Sequence, residues 1–299
     1  MSRRLTLTVP PECDGRRIRS ILQGQLGLSA GLVTRLRHRE GAVLLNGRPA
    51  KTLDPVHAGD VISVEVGDEK KSAFAPSGTG LRVLWEDEDI LIIDKPADMA
   101  VHGRSERGEP TVGSAVAAYL GTAVPFHPVN RLDRGTTGVM CAAKTGYMHE
   151  RLRRLLHTEG LRREYLAITL GVPEPAAGVI DLPIGRRGEE KRFCVRPDGA
   201  PSLTRYETLA SAGGLALLRL APETGRTHQI RVHLSAIGCP ILGDRLYGRA
   251  SEEIARPALH SARLTLRHPL TGETVSAAAP IPDDMMEVLS AHEIPAPEL

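Results

Sequence analysis

The sequence predicts an α+β protein in two unequal parts: a small α/β module at the N-terminus, then a larger domain on a largely antiparallel, mixed sheet with a cleft. Three observations carry this prediction. Two short helical patterns and a hairpin signal are confined to the first 66 residues. A polar, small-residue-rich stretch follows them. Beyond it, many short alternating strands are interspersed with only a few helical patterns. At 299 residues the chain is long enough for two domains with ample core.

The first element after the Gly15 break is a helix with Ile18, Ile21, Leu22 and Leu26 on one face. Ser29 can cap a second helix that turns Leu32, Val33 and Leu36 inward. A short strand ends in Leu44 and Leu45, and Asn46-Gly47 is a hairpin signal. Gly59-Asp60 is a turn, and Val61 to Val66 alternates as a strand. Residues 1–66 therefore read as one module. Residues 67–80 (GDEKKSAFAPSGTG) read as an interdomain linker. In the domain spanning 81–286, LRVLWE and DILIIDKP are adjacent strands and ALLRLAPE alternates as another. THQIRVHLSAIG is a helix with Ile230, Leu234 and Ile237 at i, i+4 and i+7. Residues 287–299 read as a C-terminal tail, and its Pro-rich, acidic stretch after His292 is expected to be disordered.

Composition excludes several classes. Formal charge is only +2, so the whole protein is not a polycation and any nucleic-acid affinity must be local. One local excess exists: from Arg16 to Lys51 eight Lys or Arg face a single acid, Glu40. No stretch approaches the ~18 apolar residues of a membrane span, and MSRRLTLTVPPECDG lacks the apolar core of a signal peptide. Cys13, Cys141, Cys194 and Cys239 show no paired spacing, which argues against a disulfide framework or a zinc site. These features lead us to expect a cytoplasmic, membrane-free monomer.

The most informative chemical signal is VNRLDRGTTGVM, residues 129–140, which places Asp133 between Arg131 and Arg134 ahead of a Gly/Thr turn. Neighbouring positive charge favours the ionised form of a carboxylate, making it available as a nucleophile or electrostatic stabiliser. Alone, the pattern fits an ion-paired strand corner better than an active site. In TGRTHQIR, Thr227 is a natural N-cap, and the helix start with Arg226 suits an anion; Arg226 and Arg231 could also pair with surface acids. His228 and His233 are five apart, unlike the i, i+4 spacing of a metal pair, and no metal is expected. His260 and His268 fit core hydrogen-bonding roles better than ligation.

Read in order, the motifs carry more. They are Lys95-Pro96…His102; RLDRGTTG; Arg163-x-Tyr165-x-Ala167…Gly171; TGRTHQIRVHL…GxPIxGDxxYG; and LHxxxL…HP at 259–269. Across 81–285 this series closely resembles the RluA-type family of pseudouridine synthases. Over 14–66, the basic helix, LLNG hairpin and GDVI strand resemble the S4 RNA-binding domain.

The resemblance implies a cofactor-free isomerisation of uridine to pseudouridine in RNA. Asp133 would be the nucleophile, at C1′ of the ribose or C6 of the base. Arg226 would pair with Asp133, and Tyr165 would pack on the uracil. Arg131 would fill the gap left by an extruded nucleotide, and Arg35, Arg37, Arg39 and Arg48 would face RNA phosphates. Large-subunit ribosomal RNA is the favoured substrate, with transfer RNA also compatible. A non-catalytic RNA-binding protein on the same scaffold is the rival reading. One departure stands out: the family segment usually reads HRLD, whereas Asn130 precedes Arg131 here, with His127 three places earlier.

Overall fold

The computed structural model describes residues 2–68, 72–77, 80–102, 109–156, 158–188 and 192–299. The N-terminal module is a four-stranded sheet carrying two helices. Its strands are β1 (Ser2–Thr8), β2 (Val43–Leu45), β3 (Arg48–Pro49) and β4 (Val61–Gly67), in the order β1-β4-β2-β3. The helices are α1 (Ile18–Gly24) and α2 (Ala30–Arg37).

The hairpin and the α2 cap form as expected. Asn46 and Gly47 both take positive φ, as a two-residue I′ turn requires. The Ser29 hydroxyl accepts from the Leu32 N–H at 3.3 Å. β1 is an addition to the expected elements: Leu5 and Val9 face the core while β1 pairs antiparallel with β4 along its whole length. α1 ends at Gly24, before Leu26. The Leu26 carbonyl instead accepts from the Tyr147 hydroxyl at 2.9 Å and from Arg151 at 2.7 Å.

The segment read as a linker is anchored. Gly67 still belongs to β4, and Asp68 accepts from the Gly146 N–H at 2.8 Å and pairs with His127 at 3.0 Å. Phe74 packs edge-on against Phe126 and fills the space that a Cβ on Gly113 would need. Residues 69–71 and 78–79 of that stretch lie outside the described residues.

The larger domain centres on a ten-stranded sheet. In chain order its strands are β5 (Arg82–Glu86), β6 (Ile90–Lys95), β7 (His127–Pro128), β8 (Thr137–Ala143), β9 (Leu161–Leu170) and β10 (Ala177–Asp181). They continue, after the two-stranded hairpin of β11 (Ile184–Arg186) and β12 (Phe193–Val195), with β13 (Leu203–Ala212), β14 (Leu215–Pro222), β15 (Leu259–Arg267) and β16 (Thr274–Ala278). The main order is β10-β13-β14-β9-β15-β8-β6-β5, with β16 on β15 and β7 on β8. Among the described strands the pairings are antiparallel except β15 with β8, where His260 meets Thr137 and Ser261 meets Gly138. The sheet is therefore mixed and largely antiparallel.

Both faces of the sheet are covered, which explains the continuous apolar run of β6 and the fully buried β8. Side chains alternate between faces with period two. Leu91, Ile93 and Met140 join one core with residues of α3 (Val112–Leu120), α5 (Gln229–Ala236) and α6 (Asp283–Ala291). Ile90, Ile92, Val139 and Cys141 join the other with Met148 and Leu152 of α4 (Gly146–Leu155). The expected tail is in part core: Met285, Val288 and Leu289 recur at i, i+3 and i+4 on α6, which runs into it, and they are buried together with Ile294 from the stretch expected to be disordered. Burying that stripe outweighs the Pro-rich polarity around it.

Where β8 approaches β15, Gly138 sits at φ 103°, and a Cβ there would lie 2.2 Å from the Ser261 carbonyl oxygen. Beside it, His260 is fully enclosed. Its Nδ1 accepts from the Thr137 hydroxyl at 2.9 Å and its Nε2 donates to the Ala279 carbonyl at 3.1 Å. Burial pushes this imidazole down to about 4. The unfolded chain then takes up a proton near the ordinary histidine value while the folded chain stays neutral. This contribution to stability is complete above that value and is lost as pH falls toward 4. His149, His228 and His233 are shifted in the same direction, also chiefly by burial. We expect urea unfolding to lose stability between pH 6.5 and 4, with His260 supplying about 3 kcal/mol of it. His260→Gln should flatten that limb by this share; an unchanged slope would refute the assignment.

Candidate active site

A cleft of about 620 Å³ opens at the ends of the central strands. The 129–136 loop, β9, the 222–228 loop, α4 and the start of α5 supply its walls. Asp133 lies on its floor, in the loop between β7 and β8. This loop is pinned from two sides. Lys95 is completely buried and donates all three ammonium protons to carbonyls, to Pro96 and Met99 at 2.8 Å and to Arg134 at 3.0 Å. Burial pushes its amine down to about 8. Arg256, held by Asp284, donates to the Gly135 carbonyl at 3.1 Å. Asn130 is buried and accepts from the Cys141 N–H at 2.8 Å, tying the loop to β8. That bond is the contact Asn130 makes at the position where the family pattern carries histidine.

The partner of Asp133 is Arg231. Its Nη1 donates to the Asp133 carboxylate at 2.9 Å, while Nε and Nη2 grip Asp244 at 2.7 and 2.8 Å. Asp244 is completely buried and also accepts from the N–H groups of Leu246 and Tyr247. Arg231 and these N–H groups hold the Asp244 carboxyl below the usual carboxylate range despite its burial, and Asp244 and Asp133 raise Arg231. The guanidinium also lies 5.0 Å from the centre of the Tyr247 ring.

Arg226, expected in this role, is exposed on the rim and donates to the Pro201 carbonyl at 3.3 Å. The local backbone explains the correction. His228, not Thr227, is the N-cap of α5, and it takes a left-handed conformation (φ 56°, ψ 20°) that turns the chain between the two arginines. Gln229, the first helical residue, ties down the loop ahead of it. Its Oε1 accepts from the Arg226 N–H at 3.0 Å and the Thr224 hydroxyl at 2.7 Å, and its amide donates to Leu203 and Thr204. Arg231 then falls in the first turn, on the face toward Asp133. Of the apolar positions expected on this helix, Ile230 and Leu234 are buried and Ile237 is exposed.

Tyr165 is buried on β9 and lines the cleft, with a β-bulge in the partner strand opposite it, between Ser261 and Arg263. Burial pushes its phenol up. Arg163 does not reach Asp133; it donates to the carbonyls of Pro222 and Thr224 and steadies the loop leading to α5. Arg131 is exposed at the cleft mouth. Arg35, Arg37 and Arg48 are exposed on the module, whereas Arg39 is half-buried and paired with Glu65 of β4. The cleft thus brings together Asp133, Tyr165, Arg231 and Arg131; Arg226 stays at its edge.

Among the described residues one cluster, Asp87, Asp89 and His268, is close enough to hold a metal. The His268 Nδ1 accepts from the Leu270 and Thr271 N–H groups, so its proton sits on Nε2, 3.1 Å from Asp87. A protonated nitrogen offers no lone pair to an ion. No helix among the described residues is long and apolar enough to cross a membrane.

A family profile for RNA pseudouridylate synthase matches residues 89–236. A Mycobacterium bovis protein named as an uncharacterized RNA pseudouridine synthase is 37% identical over 95% of this chain and 96% of its own. The ribosomal large subunit pseudouridine synthase D of Vibrio cholerae is 38% identical over 84% of this chain and 83% of its own. Among solved structures, human RNA pseudouridylate synthase domain containing 4 superposes with a TM-score of 0.61 at 28% identity, over 73% of this chain and 95% of that one.

The two arginines separate by stability. Asp244→Ala strands the Arg231 guanidinium in the interior and should cost about 3–5 kcal/mol in urea unfolding. Arg226→Ala should change stability by less than about 0.5 kcal/mol. Equal, small effects would contradict the assigned pairing.

Proposed function

The chain belongs to the RNA pseudouridine synthase family and is an isomerase of uridine in RNA; from that premise we propose that Asp133 is its nucleophile and that its substrate is large-subunit ribosomal RNA. The observation that carries the proposal is the 2.9 Å bond from Arg231 to Asp133 on the floor of a cleft walled by Tyr165. A carboxylate held by one arm of a guanidinium, whose other arm is fixed in the interior, is oriented before substrate arrives.

In the reaction the N1–C1′ bond breaks, the uracil turns, C5 bonds to C1′, and the C5 proton leaves as N1 gains one. Asp133 attacks C1′ or C6, which splits the exchange into two easier steps. Tyr165 offers an apolar face and a neutral phenol, so its part is to hold the base flat while it turns. Arg131, exposed at the mouth, takes the place of the extruded nucleotide in the stack, and Arg226 on the rim contacts RNA phosphate. Lys95 and Arg256, by pinning the loop backbone, position Asp133 without touching the base.

The N-terminal module acts as an S4-type RNA-binding unit. Exposed Arg35, Arg37 and Arg48, with Arg39 behind them, supply its phosphate contacts, and it offers no aromatic platform for reading bases. Ribosomal RNA is favoured by the names of relatives such as the Vibrio cholerae enzyme.

The test is pseudouridine formation on an unmodified large-subunit ribosomal RNA transcript. Asp133→Asn should reduce it to background with unfolding unchanged, and retained activity would remove Asp133 as nucleophile. In the same preparation, replacing Arg35, Arg37 and Arg48 with Gln should weaken RNA binding and lower the salt slope by roughly 0.7–0.9 for each phosphate no longer neutralised. An unchanged slope would remove the module from RNA binding.

A further inference from the structure

His228 is built into the cleft more firmly than a turn residue needs to be. It sits in the left-handed region at φ 56°, where a non-glycine residue is held only by its surroundings. The Phe193 ring meets its imidazole edge to face at 5.9 Å, and the Tyr247 ring meets it at 5.5 Å. Its Nδ1 lies 2.8 Å from the Tyr247 hydroxyl. Its Nε2 lines the cleft, 3.8 Å from the Asp133 carboxylate, close to the reacting position but too far for a hydrogen bond.

One placement of the proton satisfies every polar group of this network among the described residues. Tyr247 accepts from the Phe193 N–H at 3.1 Å, so the hydroxyl's own hydrogen is free to donate. Among the described residues its acceptor is the His228 Nδ1. A neutral imidazole that accepts at Nδ1 carries its hydrogen on Nε2. Burial holds this imidazole below its ordinary value, outweighing the Asp133 and Asp244 carboxylates that pull it up, while the Arg231 guanidinium acts with burial; the neutral ring is therefore favoured at neutral pH. A fixed N–H therefore points into the cleft beside Asp133.

We propose that His228 is a further catalytic residue of this enzyme, donating its Nε2–H to a carbonyl oxygen of the target uracil as negative charge gathers there. The inference rests on the reading of this cleft as the uridine site. It holds for either attack of Asp133. If C1′ is attacked, the N1–C1′ electron pair leaves with the uracil, and the anion spreads over N1, O2 and O4. If C6 is attacked, the added electron pair passes through C5 to O4. Both routes load a carbonyl oxygen with charge, and a preorganised donor stabilises that charge more than the ground state. No proton is transferred, so Nε2 keeps its hydrogen and the imidazole stays neutral throughout. Tyr247 is a positioning residue that keeps the hydrogen on Nε2.

Two variants separate donor from scaffold. His228→Asn tolerates the left-handed turn but is too short to reach the base; His228→Gln extends an amide N–H toward the place of Nε2. Steady-state pseudouridine formation should fall about 100-fold in kcat for His228→Asn, with KM within about threefold, and His228→Gln should recover part of the loss. Wild-type kcat in His228→Asn, or a loss confined to KM, would overturn the inference. Asp133→Asn run alongside keeps it distinct from the reading of the cleft: if that variant stays active, it is the nucleophile that fails. Ring nitrogen NMR of the full protein gives a readout independent of substrate. It should find the His228 hydrogen on Nε2, and a mixture of tautomers in Tyr247→Phe. A hydrogen on Nδ1 in the wild-type protein would also overturn the proposal.

Discussion

The buried ion pair between Asp244 and Arg231 is the interaction on which the cleft depends. A carboxylate with no solvent exposure must be paired, and Arg231 meets it with two parallel N–H bonds. That leaves the third arm of a rigid fork aimed in one direction, at Asp133. A lysine has no second arm to spend in this way. The same residue lies on the Tyr247 ring, which in turn bonds His228. Two groups that face the substrate in this account, Asp133 and His228, thus take their geometry from that one pair.

Around that pair, the sheet supplies rigidity and the loops supply chemistry. β6, β8, β9 and β15 pack on both faces, and the 129–136 loop is tied to them through Lys95, Arg256 and Asn130. α4 links the cleft to the N-terminal module. His149 and Arg153 on it line the cleft, while Tyr147 joins the module's core and Arg151 holds the Leu26 carbonyl. The module is therefore seated on a cleft-lining helix, which suits a unit proposed to hold RNA while the target uridine enters the site.

Much of this is legible in the sequence. Alternating and 3.6-periodic apolar patterns locate the module, the central strands and α5, and the motif series singles out Asp133 and Tyr165. The misses have physical causes. Arg226 and Arg231 carry equal charge five residues apart, and the choice between them turns on a left-handed backbone at His228, a residue type that does not announce it. Asp244 and Tyr247 matter through contacts made across the fold, which no local pattern encodes. The α6 stripe is hidden by the prolines flanking it. Asp68 and Phe74 look like spacer residues because their partners, Gly146, His127 and Phe126, are distant in the chain.

The most direct test of the central claim is a map of pseudouridines in ribosomal and transfer RNA from cells with and without this protein, and from cells carrying Asp133→Asn alone. The account predicts that defined positions in large-subunit ribosomal RNA lose pseudouridine without the protein, that the wild-type chain restores them, and that the Asp133→Asn chain does not. Maps that are identical in all three, or restoration by the Asp133→Asn chain, would contradict it.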